Sequence, residues 1–292
     1  PPWGTAMHFA VAPVANKYGY PLIGPTISSE KLREVADQIP YFFGILNMPR
    51  EQAAALVDLL EELGVKKAAL VYVEDAYGLE WEGKVSPALE QKGIETVILK
   101  SYPLGARDLS PMLKNIKAAG VDAFLGMSYP PDTFLITQQS IGLQFNPKFF
   151  YLGVGVAFPV YRDKFGVAAV DGVMGAGAWN PKLDYPGTKA YFDRHGEMWD
   201  KEPDRWGSAF AYASLQILQQ AIERTGTLDR RKLRDAIATE TFPTVIGPVE
   251  FEGGFNIQSP GEIGQWQNGE FEVVAAKEKR TAKPIYPKPE WP

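Results

Sequence analysis

The sequence predicts an α/β protein built as two Rossmann-like lobes, each a mostly parallel sheet layered with helices. Three observations lead there. Gly64, Gly93 and Gly120 stand 29 and then 27 residues apart, and an apolar run follows each: 68–73, 96–99 and 123–126. Runs that are apolar on both faces suit strands of a parallel sheet covered on both sides. The intervening segments carry a helical period: Ala53, Leu56, Val57, Leu60 and Leu63 form one stripe, and Trp81, Val85 and Leu89 another at i, i+4 and i+8. A strand–helix unit repeating in this way, with right-handed crossovers, defines a doubly wound layer.

Each element has its own local cause. Residues 5–18 read as a helix stopped by Gly19 and followed by a strand at 21–23. Pro49 sits in the first turn of a helix over 49–63, where a missing N–H costs nothing. Gly64, Gly93 and Gly120 are expected in the left-handed conformation that ends a helix. Ser110 is expected to cap a helix with Pro111 at its first position. Strands at 149–152 and 172–176 follow, then helices over 186–199, 207–224 and 229–237. The tail alternates at 249–251, 263–267 and 271–274, joined by Gly253-Gly254 and Asn268-Gly269, the pattern of antiparallel hairpins. Beyond residue 276 the chain is charged and proline-rich, as expected of an extension running over the surface.

Composition narrows the function. The 292 residues are 45% hydrophobic and 22% charged, with a net charge of −5, so no basic field exists to hold nucleic acid. Arg230, Arg231, Lys232 and Arg234 are interleaved with Asp229 and Asp235 and read as a solvated helix face. No cysteine is present, which excludes disulfides and thiolate chemistry. No run of about 18 apolar residues spans a bilayer, and no signal peptide is visible. The opening Pro1-Pro2-Trp3-Gly4-Thr5-Ala6 lacks a Met and runs straight into a helical pattern, so the numbered chain is expected to begin partway through the first lobe.

Enzymatic constellations are thin. The two histidines, His8 and His195, have no metal-ligand spacing. Gly126-Met127-Ser128-Tyr129-Pro130 lacks the second glycine of a nucleophile elbow, and Gly153-Val154-Gly155 has only the start of a dinucleotide fingerprint. No cofactor, metal or catalytic residue is expected. Ligands of doubly wound sheets bind beyond the carboxyl ends of the strands. Those exits, at 24–29, 74–78, 128–131, 153–158 and 177–181, carry Thr26, Ser28, Ser29, Tyr77, Tyr129, Phe158 and Trp179. Hydroxyls and aromatics without a general base suit holding a small, partly apolar molecule rather than transforming it.

Several stretches together resemble type I periplasmic solute-binding proteins of the leucine/isoleucine/valine-binding type. They are Ala12-Pro13-Val14-Ala15-Asn16-Lys17-Tyr18-Gly19-Tyr20-Pro21-Leu22-Ile23, Asp75-Ala76-Tyr77-Gly78, Asp108-Leu109-Ser110, Tyr129 after its strand, and Ile246-Gly247-Pro248-Val249. The resemblance implies the receptor of an ABC importer, periplasmic and monomeric, whose partners are a small-molecule carboxylate and a membrane permease. It implies three crossings, near 44–48, 180–185 and 244–249. Lobe one is then 1–47 plus 183–245, and lobe two 48–182 plus 246–292.

The same resemblance assigns site residues in an interlobe cleft. Thr5 and Ala6, with Ile27, Ser28 and Ser29, correspond to first-lobe loops that hold a ligand carboxylate through hydroxyls and helix-start N–H groups. Tyr129 matches a tyrosine that closes over the ligand, Tyr77 lies in the Asp75–Gly78 motif, Trp179 lies in the second crossing and Trp206 at a helix start. Amino-acid-binding members carry an acidic residue where this chain has Val154. An ammonium buried without a carboxylate partner costs several kcal/mol, so the expected ligand is a carboxylate with an apolar or aromatic body. Two rivals stand beside this reading: the ligand-sensing effector domain of a transcription regulator or receptor, and a branched-chain amino acid as the ligand. A two-lobe hydrolase is disfavoured for want of a nucleophile–base pair.

Overall fold

The computed structural model describes residues 2–177, 179–259 and 261–292. In chain order the first elements are α1 (Thr5–Tyr18), β1 (Leu22–Gly24), α2 (Glu30–Glu34), β2 (Phe42–Gly44) and α3 (Pro49–Glu62). Four strand–helix pairs follow: β3 (Lys67–Val73) and α4 (Ala76–Gln91), β4 (Glu95–Tyr102) and α5 (Ser110–Ala119), β5 (Ala123–Met127) and α6 (Pro130–Gly142), then β6 (Phe149–Leu152) and α7 (Pro159–Phe165). After α8 (Val167–Val170) and β7 (Met174–Ala176) come α9 (Thr188–Trp199), α10 (Gly207–Thr225) and α11 (Arg230–Thr239). Six short strands end the chain: β8 (Phe242–Thr244), β9 (Gly247–Val249), β10 (Phe251–Glu252), β11 (Phe255–Asn256), β12 (Ile263–Gln267) and β13 (Glu270–Ala275).

The chain divides into two compact units, 1–49 with 181–260 and 50–180 with 261–292. The second unit holds a seven-stranded sheet in the order β13-β12-β7-β6-β5-β3-β4. Strands β4, β3, β5, β6 and β7 run parallel, in the doubly wound arrangement that the glycine repeat predicts. Gly64, Gly93 and Gly120 take φ of 72°, 66° and 65°, the left-handed conformation that ends each preceding helix. The inward stripe of α4 is fully packed, with Trp81 at 2% exposure and Val85 and Leu89 at 0%. Strands β12 and β13 form an antiparallel hairpin closed by Asn268-Gly269, whose φ values of 52° and 86° match a primed turn. Ser110 is the first helical residue rather than the cap: Leu109 stands at the cap, and Asp108 accepts from the Ser110 N–H at 2.9 Å.

The first unit holds a four-stranded sheet in the order β1-β2-β11-β10 and a separate β8–β9 ribbon. Its core gathers Ala12, Ile27, Leu32, Ile39, Phe42, Met48 and Phe255. The basic residues at the start of α11 lie on an exposed face as the sequence reading expects, and Asp229 caps the helix by accepting from the N–H groups of Arg231 and Lys232, each at 3.0 Å.

The third crossing differs from the sequence expectation. It falls at 260–261, not near 244–249, so residues 246–260 belong to the first unit rather than to the second. The cause is pairing and packing that local pattern does not encode. Phe255 pairs in parallel with Gly44 of β2, and its ring stands 6.0 Å from that of Phe42; Phe251 packs edge-on to Phe43 at 5.1 Å. The C-terminal extension is also more than a surface strap. Trp291 is 5% exposed, its indole N–H donates to the Phe145 carbonyl at 2.7 Å, and its ring packs against Phe150 at 5.4 Å.

One ion pair ties this extension to α3. The two terminal nitrogens of Arg280 each donate to one oxygen of Glu62 at 2.8 Å. The Arg280 hydrogen bonds hold the Glu62 carboxyl at about 2, against an ordinary value of 4.5. A carboxyl depressed on folding contributes stability that is full above its ordinary value and lost as the pH falls toward the folded one. Arg280→Ala is therefore expected to cost about 1–2 kcal/mol at neutral pH and to flatten the loss of stability below about pH 4.5. Urea unfolding across that acid range checks both.

Candidate functional site

The sequence-predicted residues fall into two groups, one in each unit. In the first unit the group gathers around the exit of β1. Helix α1 begins after Gly4, whose φ of 84° is the left-handed geometry open to glycine, and no side chain caps the helix start. The Gly4 N–H donates to Thr26 Oγ1 at 3.1 Å, and that hydroxyl donates to the Pro2 carbonyl at 3.3 Å, so the β1 exit loop is tied to the start of α1. His8 braces the same corner from below. It is fully buried, with Nδ1 2.7 Å from the Gly4 carbonyl, and burial lowers its pKa, keeping the imidazole neutral. A side chain on Gly24 would meet His8 Cδ2 at 2.7 Å, so glycine is required there for close approach.

Individual roles in this group differ from expectation. Thr5 is 7% exposed in the first helical turn, beside the exposed Ala6. Ile27 is fully buried in the core, so only its backbone can meet a ligand. Ser28 donates its proton to the Asn47 carbonyl at 2.7 Å, which leaves it acceptor capacity alone. Ser29 precedes α2 and is fully buried, with no hydrogen bond to its hydroxyl among the described residues. Trp206 is 7% exposed and packs edge-on to Trp3 at 5.9 Å. The start of α10 cannot take an anion, because Asp204 already accepts there from Trp206, Gly207 and Ser208 N–H groups. Thr26, one of the strand-exit hydroxyls the sequence singles out, thus braces the α1 start, and Asp204 went unassigned; an Asp three residues before a helix was the available signal for it.

In the second unit Tyr77, Tyr129 and Val154 lie at the exits of β3, β5 and β6. Asp75 joins two of them. One of its oxygens caps α4 by accepting from the Gly78 N–H at 2.9 Å, and the other accepts the Tyr129 hydroxyl proton at 2.9 Å. The Tyr77 and Tyr129 rings stack at 4.9 Å with 30° between planes. Burial, then the negative charge of Asp75, push the Tyr129 phenol well above the ordinary range, so it stays protonated. Tyr77 is 8% exposed and its hydroxyl has no hydrogen-bond partner among the described residues.

The β6 exit is clamped to α6. Val154 is 5% exposed; its N–H donates to the Ser128 carbonyl at 2.9 Å, and its carbonyl accepts from Thr133 Oγ1 at 2.7 Å. Thr133 also shares a 2.7 Å hydrogen bond with Ser128 Oγ. Asp132 is 3% exposed, and its pKa is raised by burial and by the Asp75 charge. Trp179, expected to face a ligand from the second crossing, is 2% exposed beside Asn180, which donates to the Phe271 carbonyl at 2.8 Å. Asp75 went unassigned although its motif was legible; the hydrogen bond to Tyr129, 54 residues on, was not.

Among the described residues no group of three or more His, Asp or Glu could hold a metal ion, and no helix is long and apolar enough to cross a membrane. Two α/β units with mostly parallel sheets, linked by three chain crossings, have the fold of type I periplasmic binding proteins. The chain belongs to the periplasmic binding protein family, whose model matches residues 1–270. It is similar to the Leu/Ile/Val-binding protein homolog 7 of Brucella suis biovar 1 (strain 1330), with 23% identity over 301 residues that cover 91% of this chain and 75% of that protein. In fold it matches the crystal structure of a leucine binding protein, LivK, from Thermotoga maritima, at a TM-score of 0.81 and 24% identity, covering 94% of this chain and 78% of that one. It matches equally, at a TM-score of 0.81 and 17% identity, a solute-binding protein of an ABC transporter from R. palustris in complex with benzoate, covering 96% of this chain and 78% of that one.

Gly153 fixes how these second-unit loops pack. A Cβ there would stand 2.7 Å from both the Tyr77 hydroxyl and the Ser128 carbonyl oxygen. The second of these is backbone, so the clash cannot be relieved by a rotamer change. Gly153→Ala is expected to cost about 1–3 kcal/mol and to break the Tyr77–Tyr129 stack, read as a lower Tm together with a changed near-UV tyrosine signal.

Proposed function

We propose that this chain is the extracytoplasmic, periplasmic substrate-binding component of an ABC importer. It binds a small carboxylate with an apolar or aromatic body and passes it, unconverted, to a membrane permease. The observation that carries the carboxylate is the start of α1, a 14-residue helix with glycine at its cap and no side-chain cap among the described residues, next to the Thr26 hydroxyl. Such a helix start presents N–H donors and a partial positive charge, the chemistry that holds an anion. The apolar or aromatic body is supported by Val154, which stands where the resemblance expects an acid, and by the relative that binds benzoate.

A branched-chain amino acid is the second reading, favoured by the names of the relatives, which bind leucine, isoleucine or valine. Calorimetry decides between them. Benzoate-like and branched aliphatic acids are expected to bind, and Thr26→Val, which releases Gly4 from the β1 exit loop, to weaken them by about tenfold. Tight leucine binding with no response to the acids would replace the first reading by the second.

A further inference from the structure

The first unit contains a histidine whose second ring nitrogen the fold leaves unused. His8 is fully buried in α1. Its Nδ1 stands 2.7 Å from the Gly4 carbonyl, and a carbonyl only accepts, so Nδ1 carries the proton and Nε2 presents a lone pair. Nε2 is buried and has no hydrogen-bond partner among the described residues. It lies against the end of β1: a Cβ on Gly24 would stand 2.9 Å from Nε2 and 3.1 Å from Ile27 Cγ2. The ring is also edge-on to Phe42 of β2 at 6.0 Å. A proton added at Nε2 would therefore point at glycine backbone and apolar side chains.

The charged groups of the surrounding elements do not relieve it. Lys17 lies in the last turn of α1. Asp204, at the start of the helix α10 that packs on β1, is occupied by the N–H groups of Trp206, Gly207 and Ser208. Glu30, at the start of α2, is already partnered. The chain's amino terminus acts on the ring with a positive charge, which opposes a proton as burial does. An amino terminus ordinarily titrates at about 7.7–8.0, so it stays positive throughout the acid range.

We propose that His8 is an acid-operated latch on the first unit: neutral, it ties the start of α1 to the β1–β2 layer, and protonated, it lets that corner open. The second N–H finds an acceptor only if the ring leaves its place, and leaving breaks the bond from Nδ1 to the Gly4 carbonyl. Gly4 is the hinge point, because its own N–H is held by Thr26 Oγ1 of the β1 exit loop. Burial, against the Gly4 hydrogen bond, holds the His8 pKa below its ordinary 6.5. The open corner then binds a proton more readily than the closed one, so the closed form is fully favoured above pH 6.5 and is lost as the pH falls below it. The latch is defined by the fold of the first unit alone and holds whatever ligand the chain binds.

The test exploits the presence of two histidines, His8 and His195. Imidazole proton NMR of the whole chain shows two titrations, and His195→Gln assigns them. His8 should titrate below 6.5. Hydrogen-exchange protection of the Gly4 and His8 amides, both bonded in this corner, should fall by about tenfold or more from pH 7.5 to pH 5. His195→Gln should keep that acid response. His8→Gln should remove it, because a glutamine amide can still donate to the Gly4 carbonyl and carries no titrating proton. His8→Phe, which fills the site without the hydrogen bond, should show low protection at both pH values, so a loosened corner and a titrating one are told apart. A His8 titration at or above 6.5, protection unchanged in acid, or an acid loss that persists in both His8 variants would overturn the latch.

Discussion

Everything in the second unit depends on its four inner parallel strands, β3, β5, β6 and β7, which are buried along almost their whole length. Strand β5 is buried at every residue, and so is β6. A strand in that position has no solvated side on which to carry a polar group, because an unpaired polar atom in the layer costs about 1–3 kcal/mol. Polar side chains are therefore driven to the ends of the strands, where the chain leaves the sheet and the backbone needs new partners. The hydroxyls, carboxyls and phenols at the carboxyl ends of β3, β5 and β6 stand where the sheet's own packing leaves room for them. Polar chemistry is concentrated there because the rest of the layer excludes it.

That constraint also explains which parts of the structure are legible in the sequence. A continuous apolar run announces a strand of the layer, and a glycine announces the end of the helix before it, so the repeat of Gly64, Gly93 and Gly120 reads directly as β3, the edge strand β4, and β5. The third crossing is not legible by the same means. Residues 251–256 are short alternating strands, and such a pattern states only that one face is buried, not against which sheet. Their place beside β2 follows from Phe251 and Phe255 completing an aromatic cluster with Phe42 and Phe43. That cluster is assembled from positions more than 200 residues apart.

At the site, residue type was legible and hydrogen-bond direction was not. A serine after a strand can donate or accept, and the sequence cannot say which. Ser28 turns its proton inward to the Asn47 carbonyl, so it braces the crossing segment instead of offering a donor to an anion. Ile27 and Trp179 show the same limit from the apolar side. Their spacing put them in exit loops, but both side chains are buried, and a large side chain in a loop is as useful for sealing the loop against the sheet as for lining a pocket.

Counting protons separates the two units more sharply than counting residue types does. In the first unit the uncommitted donors are backbone: the opening turn of α1 carries N–H groups that no side chain caps. In the second unit the nearby N–H groups are spent within the fold, on the carbonyls of Gly126 and Ser128, and the Tyr129 proton goes to Asp75. At the α1 start the first unit's open groups are thus main-chain donors, whereas those of the second unit are side-chain atoms, the Tyr77 hydroxyl and one oxygen of Asp132.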